Sequence, residues 1–587
     1  MSISGIPNRL KLLRIVSKRV RCSRIAVRFL PSNLILAMKR YDYIFTFFLT
    51  AVFLFSSCGE EPFSSDNGVN LPSDGLLRLS IGVDDYVDEN GAESRAEDSG
   101  AEFSFESGDR VGILVFSNSD SAPQNNLPYI FDGERWIFDT ATAETENSGK
   151  VAWSDAGEAI LTVYYPYDAA ADRVFDKTGL KRLFAPLADQ QTAEAYRKSD
   201  LMACSATVRN LVLEARLSHV YASFSLQPSV AYTLTDGKGT RIEGELARVN
   251  LSVGDRSAIV PYRAEDGSYR YILPADFTSG EVRWFYSCGT ATYGGTRYLD
   301  EAAPNVRYSQ IDRVDCGEYG YGRAKVGDYF CTTQNGTVGY LLPSEAARLI
   351  DEHECVGVVF QTDLARIGEA EKDALGGVAH GLAISVKNAP CAGGYGDQAW
   401  WGRYGYPEEQ IRDCTTKVDN YTDLSGYHNT QAILVDRAED IDQLGLYQAF
   451  RAVRDYRHST PLPENTSDWF LPSAGQWWDV LQIMGKAPAL AEAVEQQSTE
   501  HNGTEWIEQG DVIGMLNSWI AGIAVEKRDD FIAVEDQYGI SSGGYWTSSE
   551  YSLIYAVKWI YQADVGHLVM TRDSKHFNAN VRCAFAF

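Results

Sequence analysis

From Leu77 to Cys288 apolar and polar residues alternate in short runs: "LLRLSIGV", "RVGILVF", "YIFDGERWIF", "AILTVYYPY", "LVLEARL", "YASFSL", "ARVNLSV", "SYRYILP" and "EVRWFYSC". Val, Ile, Tyr, Phe and Trp dominate them, and Gly, Asp, Asn, Ser or Pro bounds them. A period of two in runs this short predicts half-buried strands, and their regular succession predicts antiparallel β-sandwiches. The pattern changes near Gly317, where "CGEYGYGRAKVGDYF" (Cys316 to Phe330) is rich in Gly and Tyr and reads as an inter-domain boundary. Beyond it the spacing turns helical. "LPSEAARLIDE" predicts a helix capped by Ser344, and "LPSAGQWWDVLQIMG" predicts one with Ser473 and Gln476 as a capping box and Gly485 as its stop. Trp477, Val480, Leu481 and Met484 then share one buried face. A third helix is expected from about Ile441 to Tyr456.

The start of the chain has a different character. "IFTFFLTAVFLFSS" (Ile44 to Ser57) is apolar but shorter than the roughly 20 residues a spanning helix needs, and reads as the h-region of a signal peptide. Met38, Lys39 and Arg40 supply its start and positive flank, which leaves 1–37 as an upstream extension outside the fold. The residues before Cys58 resemble the lipobox of bacterial lipoproteins through Ser56 and Ser57, although Phe55 departs from the usual leucine. That resemblance implies acylation of Cys58 and an anchored, non-spanning chain. Residues 58–75, "CGEEPFSSDNGVNLPSDG", are polar and turn-rich, as a tether should be.

Charge agrees with export. The formal net charge is −27; residues 1–57 hold ten Lys and Arg against one acidic residue, a balance of +9, so the remainder carries −36. Such acidity excludes nucleic acid and anionic lipid surfaces as partners. Eight cysteines follow Cys58, none in a C-x-x-C pair, so a structural zinc is not expected; their even number permits disulfides in an oxidising compartment, with no pairing readable from spacing.

Catalytic and cofactor motifs are scarce, and no catalytic residue, metal ligand or cofactor is assigned. "GISSG" (Gly539 to Gly543) matches G-x-S-x-G around Ser541, yet the following "GYWTSSEY" is extended, whereas a nucleophile elbow needs a helix there. "DEHEC" around His353 lacks a second histidine, and Cys391 and Cys583 have no partner motif. His219, on an alternating strand, reads as a hydrogen-bonded structural residue. Nine of the twelve tryptophans lie between Trp400 and Trp559. Trp469, Trp477, Trp546 and Trp559 are expected in the core. Trp400 and Trp401, in the Gly-rich "GGYGDQAWWGRYGYPEE", are the candidate ligand-contact residues.

Two family resemblances organise these observations. "FESGDRVGILVF", "NNLPYIFDGERW", "VAWSDAGEAILTVYYPY", "DQQTAEAYRKSDLMA" and "LEARLSHVYASFSL" occur in the order seen in fimbrillin-like lipoproteins of Bacteroidetes, and the resemblance covers about 77–316. It implies tandem β-sandwiches (76–225 and 226–316) that polymerise with other pilin subunits by strand exchange, after a protease cuts behind an Arg or Lys near the mature N-terminus. Arg95, in the polar "ESRAEDSG", is the matching position. After a linker at 317–323, residues 324–587 resemble C-type-lectin-like modules, related in layout to the formylglycine-generating-enzyme-like fold, through "HGLAISVKNA", "DWFLPSAGQWW", "GGYWTSSEY", "AVKW" and "NVRCAFAF". The calcium and sugar triplets of that group, Glu-Pro-Asn and Trp-Asn-Asp, are missing, so calcium-dependent sugar binding does not carry over. The expectation is a mainly β chain: two antiparallel β-sandwich domains followed by an α+β C-type-lectin-like domain. It belongs at the outer membrane and cell surface, as a lipid-anchored precursor of a fimbrial tip adhesin whose receptor is a host or bacterial surface glycan or protein. A stand-alone binding lipoprotein is the alternative reading, and an enzyme the least favoured.

Overall fold

The computed structural model describes residues 78–89, 103–116, 125–142, 160–173, 177–209, 212–391, 398–443, 445–487, 490, 504–507, 511–532, 544–562 and 566–587. Cys58, Arg95 and Ser541 lie outside the described residues. The chain is mainly β, with several separate sheets.

The first region contains β1 (Arg78–Val83), β2 (Val87–Asp88), β3 (Arg110–Phe116), β4 (Asn125–Phe131), β5 (Trp136–Phe138), β6 (Ile160–Tyr165), β7 (Met202–Arg209) and β8 (Val212–His219). Seven of these form one sheet in the order β1-β8-β7-β6-β3-β4-β5. Its outer strands β1 and β5 approach each other, so the sheet curls around a core that includes Val111, Ile113, Leu127, Val163 and Leu217. A single curled sheet therefore stands where two facing sheets were expected. Its other face is also covered. Short helices Lys177–Leu183 and Ala193–Ser199 flank it, and Leu114, Tyr164, Leu180 and Phe184 make a second cluster there. Gly112 allows this packing, because a Cβ at that position would meet the Tyr164 ring at 2.2 Å.

The second region is a true sandwich built from β9 (Ser223–Leu234), β10 (Arg241–Glu243), β11 (Leu246–Val253), β12 (Arg256–Ile259), β13 (Tyr262–Arg263), β14 (Tyr269–Ile272), β15 (Gly280–Cys288), β16 (Ala291–Leu299) and β17 (Val306–Tyr319). One sheet runs β13-β14-β9-β17-β2, with β10 on β9, and the other runs β12-β11-β15-β16. Trp284 and Phe224 meet between them, and the Trp284 indole donates to Asp312 at 2.6 Å. β9 crosses the expected 225/226 boundary and β17 runs past 316, so the division falls between His219 and Ser223 and the sandwich closes only at Tyr319.

The C-terminal region holds β18 (Tyr329–Thr332), β19 (Gly339–Leu342), β20 (Glu354–Gln361), β21 (Leu382–Asn388), β22 (Thr504–Ile507), β23 (Tyr545–Ser552), β24 (Tyr555–Gln562), β25 (His567–Ser574) and β26 (Arg582–Ala586). They form two sheets, β19-β18-β20-β21-β26 and β22-β25-β24-β23. Helices pack around them. The capping box at Ser473 is present, with Gln476 Oε1 accepting from the Ser473 N–H at 2.9 Å. Ser344 does not cap: it lies inside a 3-10 helix, Ser344–Glu352, that follows Pro343. The third helix spans Gln448–Ser459 and starts later than expected, because Tyr447 takes a left-handed φ of 47° immediately before it. Residues 317–323 are not a loose linker. Tyr319 is buried and donates to Asp328 at 2.7 Å, Tyr321 packs on Phe330 and Phe587, and one hydrophobic core runs from the sandwich into the C-terminal region.

The four tryptophans assigned to the core are all buried. Trp477 packs on Tyr545 and Trp559 with ring centroids 5.4 and 5.1 Å away, and its indole donates to the Trp546 carbonyl at 3.1 Å. Trp477→Ala should cost about 3–5 kcal/mol, through the cavity left behind and the carbonyl left unpaired. Denaturant unfolding monitored by near-UV circular dichroism checks this.

Candidate functional site: a clipped N-terminal segment and an aromatic surface loop

Two places combine unusual geometry with access to a partner. The first is the segment that enters the fold. β1 lies parallel to β8, from Arg78 opposite Val212 to Val83 opposite Leu217, while every other pairing in that sheet is antiparallel. Asp84 then pairs with Arg216 and accepts from the Ser218 hydroxyl at 2.9 Å. Three residues further on, β2 lies parallel to β17, with Val87 opposite Val306 and Asp88 opposite Arg307. A stretch of eleven residues, 78–88, thus supplies a strand to each of two sheets.

Tyr86 lies between those two strands and is 4% exposed. One face of its ring stacks on His219 at 3.7 Å and 12°, and the Arg307 guanidinium lies over the ring at 4.6 Å. The phenol donates to Asp200 Oδ1 at 3.0 Å, and the same oxygen is 2.8 Å from His219 Nδ1. Burial, together with the Asp200 carboxylate, pushes the phenol well above its ordinary value, so it stays a donor. His219 is structural, as its place on an alternating strand predicts.

The second place is the loop after Ala399. Trp400 and Trp401 are neighbours in the chain, outside any helix or strand, and they differ in burial. Trp401 is completely buried: its indole donates to the Thr547 carbonyl at 2.8 Å, and its ring meets Phe450 edge-on at 5.2 Å. That burial removes Trp401 as a ligand contact. Trp400 is only partly covered and stacks on His576 at 4.8 Å. Tyr404 adds its ring to the other neighbourhood of His576, 5.3 Å away. Tyr404, Tyr406 and Phe577 are 50%, 38% and 41% exposed. Gly405, at φ +77°, supplies the left-handed turn between the two tyrosines.

Buried charges fix this loop from below. Lys575 Nζ donates to the Tyr406 carbonyl at 2.7 Å and pairs with Glu550; Glu550 accepts from the Glu408 N–H at 3.0 Å. Glu408 in turn holds Arg437 at 2.8 Å and the Tyr447 hydroxyl at 2.7 Å, and Arg437 lies 4.5 Å over the Tyr406 ring. Burial pushes the Glu550 carboxyl up to about 7 against the opposing pull of Lys575. A rigid set of exposed ring faces is suited to sugar faces or to a protein hot spot. The sequence marked Trp400 through its Gly-rich surroundings. It gave no sign of His576 and Phe577, which arrive from the β25–β26 connection.

Among the described residues no group of three or more His, Cys, Asp or Glu side chains stands close enough to hold a metal ion. Cys583 lies in β26, and burial pushes its thiol up.

The chain resembles fimbrial proteins of Bacteroides. It is 24% identical, over 500 residues, to a Bacteroides ovatus protein named "Putative fimbrium tip subunit Fim1C", covering 75% of this chain and 86% of the other. A crystal structure of a fimbrial protein from Bacteroides ovatus aligns over 87% of this chain and 99% of its own, with 17% identity and a TM-score of 0.34. A "putative cell adhesion protein" from Bacteroides uniformis aligns over 41% of this chain and 95% of its own, at 14% identity and TM-score 0.26. At those TM-scores the solved structures add nothing to the sequence similarity. No protein-family model matches.

The two tryptophans should separate in stability measurements. Trp400→Ala should move stability by less than about 1 kcal/mol, and Trp401→Ala should cost about 3–5 kcal/mol, read from chemical unfolding curves. Glu550 makes a pH prediction. Its folded value lies above the ordinary 4.5, so between 4.5 and about 7 the folded protein holds the extra proton, and this residue's contribution to stability falls as pH rises through that window. Unfolding free energies measured between pH 5 and 7 should decline more steeply in the parent than in Glu550→Gln, by up to about 1.4 kcal/mol per pH unit.

Proposed function

We propose that this chain is a cell-surface fimbrial subunit that accepts a strand from a neighbouring pilin and stands at the fibre tip. On this reading it presents its C-terminal, lectin-like region to a glycan or protein receptor. The observation that carries the reading is the unequal treatment of the two outer segments of the fold. The segment 78–88 is clipped onto sheet edges through two short parallel strands. β26 is instead flanked on both sides: Ala584 pairs with Ile384 of β21 and exchanges two backbone hydrogen bonds with Phe470, each 2.9 Å, and all five β26 residues are buried. A strand at an edge can be exchanged for another that makes the same main-chain bonds, whereas a strand with bonds on both sides and a buried face cannot be lent.

Removing 78–88 would bare the edges of β8 and β17 together with the core side chains that Leu79, Ile81 and Val83 now touch. Arg95 lies seven residues beyond Asp88, where one cut would release the segment, and Cys58 precedes it, where an acyl anchor would hold the precursor at the outer membrane. The similarity to a protein named as a fimbrium tip subunit supports the same assignment. Trp400, Tyr404, Tyr406 and Phe577 form the receptor-facing surface, and no catalytic step is assigned.

Treatment of the mature protein with an Arg-specific protease should remove everything up to Arg95 by intact mass and create binding to the major fimbrial subunit of the same cells. Arg95→Ala should block both. Cleavage without any gain in binding, or assembly that is indifferent to Arg95→Ala, would leave a stand-alone surface binding protein as the reading.

A further inference from the structure

β18 and β20 pair in register from Tyr329 opposite Val358 and Phe330 opposite Gly357. A one-residue bulge at Val356 then shifts the ladder, and Cys331 comes to lie opposite Cys355, with Thr332 opposite Glu354. Directly opposed residues in an antiparallel pair have Cα atoms about 4.5–5.5 Å apart and side chains on the same face. That separation lies inside the roughly 4.4–6.8 Å range that disulfides span without backbone movement. Cys331 is completely buried and Cys355 is 9% exposed. Burial pushes the Cys331 thiol well up, and both cysteines are free thiols in this structure. No other two cysteines among the described residues face each other across a ladder.

We propose that Cys331 and Cys355 are joined by a cross-strand disulfide in the exported protein. The proposal rests on the surface location put forward above, because the bond needs an oxidising compartment. The oxidant is a disulfide-bearing exchange protein or small molecule. The thiolate of Cys355, the less buried of the pair, attacks one sulfur of that disulfide and forms a mixed disulfide, releasing one thiol of the oxidant. The thiolate of Cys331 then attacks Cys355 Sγ, forms the Sγ–Sγ bond and expels the second thiol. Both protein thiols lose their protons, and the oxidant takes up the electron pair as a dithiol.

The closed segment 331–355 contains β19 and the 3-10 helix Ser344–Glu352. That helix carries Glu345, which accepts from Tyr232 of β9 at 2.9 Å and pairs with Lys325 at 2.7 Å. The bond would therefore staple the part of the C-terminal region that grips the sandwich.

Mature protein taken from the bacterial surface and alkylated in denaturant should show two fewer modified cysteines before reduction than after. A peptide digest should contain one pair, linking Cys331 to Cys355. Thermal unfolding should shift to lower temperature on reduction, and Cys331→Ala with Cys355→Ala should abolish that shift. Full alkylation without reductant, or a link between other cysteines, would overturn the proposal. Purified reduced protein exposed to oxidised glutathione then locates the fault. If the bond is absent there too, the cross-strand geometry is wrong; if it forms only there, the compartment reading is wrong.

Discussion

The segment that joins the curled sheet to the sandwich is seated by a single ring. Tyr86 fills a slot whose walls are the imidazole of His219 and the guanidinium of Arg307 and whose floor is the Asp200 carboxylate. Asp200 and His219 belong to the curled sheet and its neighbouring helix, while Arg307 belongs to the sandwich. With the ring in place two ionisable groups from different regions are separated by an aromatic plate and each keeps a partner. Without it they would face one another across a hole in which burying a charge is expensive. The two parallel strands on either side of Tyr86 are too short to hold themselves, so the ring and the strands are mutually dependent.

The opposite end of the fold is built on a different principle. Arg582 is buried, yet its guanidinium donates to the carbonyls of Ser385, Val386 and Asp529 at 2.8, 2.8 and 2.9 Å and lies 3.8 Å over Phe531. Phe585 meets Phe330 and Trp469 edge-on, and the Phe587 carbonyl accepts from His380 at 2.6 Å. Through Arg582, Phe585 and the terminal Phe587, the last strand and its end are thus tied to elements from the beginning, middle and end of the C-terminal region. Distributed ties of this kind make that region cooperative, whereas residues 78–88 are held by two edge ladders, the Asp84 contacts and the seat of Tyr86.

Much of this was readable in advance. Period-two alternation marked the strands up to Cys288, because a half-buried strand leaves its burial pattern in the residues themselves, as in "EVRWFYSC". The Ser473 helix was readable for the same reason, since capping is a local transaction. What escaped was everything set by distant partners. β3 is covered on both faces, so its alternation carries no information about its second cover. The parallel pairings of β1 with β8 and β9 with β17 leave no local trace, and neither does the seat of Tyr86. Trp400 and Trp401 look alike in a sequence. What separates the surface ring from the core one is the set of distant partners each meets, His576 for Trp400 and Thr547 and Phe450 for Trp401. The Ser344 cap failed because Pro343 takes the cap position and the Ser344 hydroxyl donates to Glu345 instead.

The parallel pairing of β9 with β17 bears on how the molecule carries load. The ladder runs from Arg307 opposite Ser223 to Tyr319 opposite Leu234, and the chain enters β9 from the curled sheet and leaves β17 into the C-terminal region. Tension applied between those two ends pulls the strands along their length in opposite directions. The backbone hydrogen bonds of the ladder then share the force in shear, where a hairpin pulled at its open end would release them one at a time. A protein that must stay joined while its far end is tugged gains from that arrangement a mechanical resistance independent of its equilibrium stability.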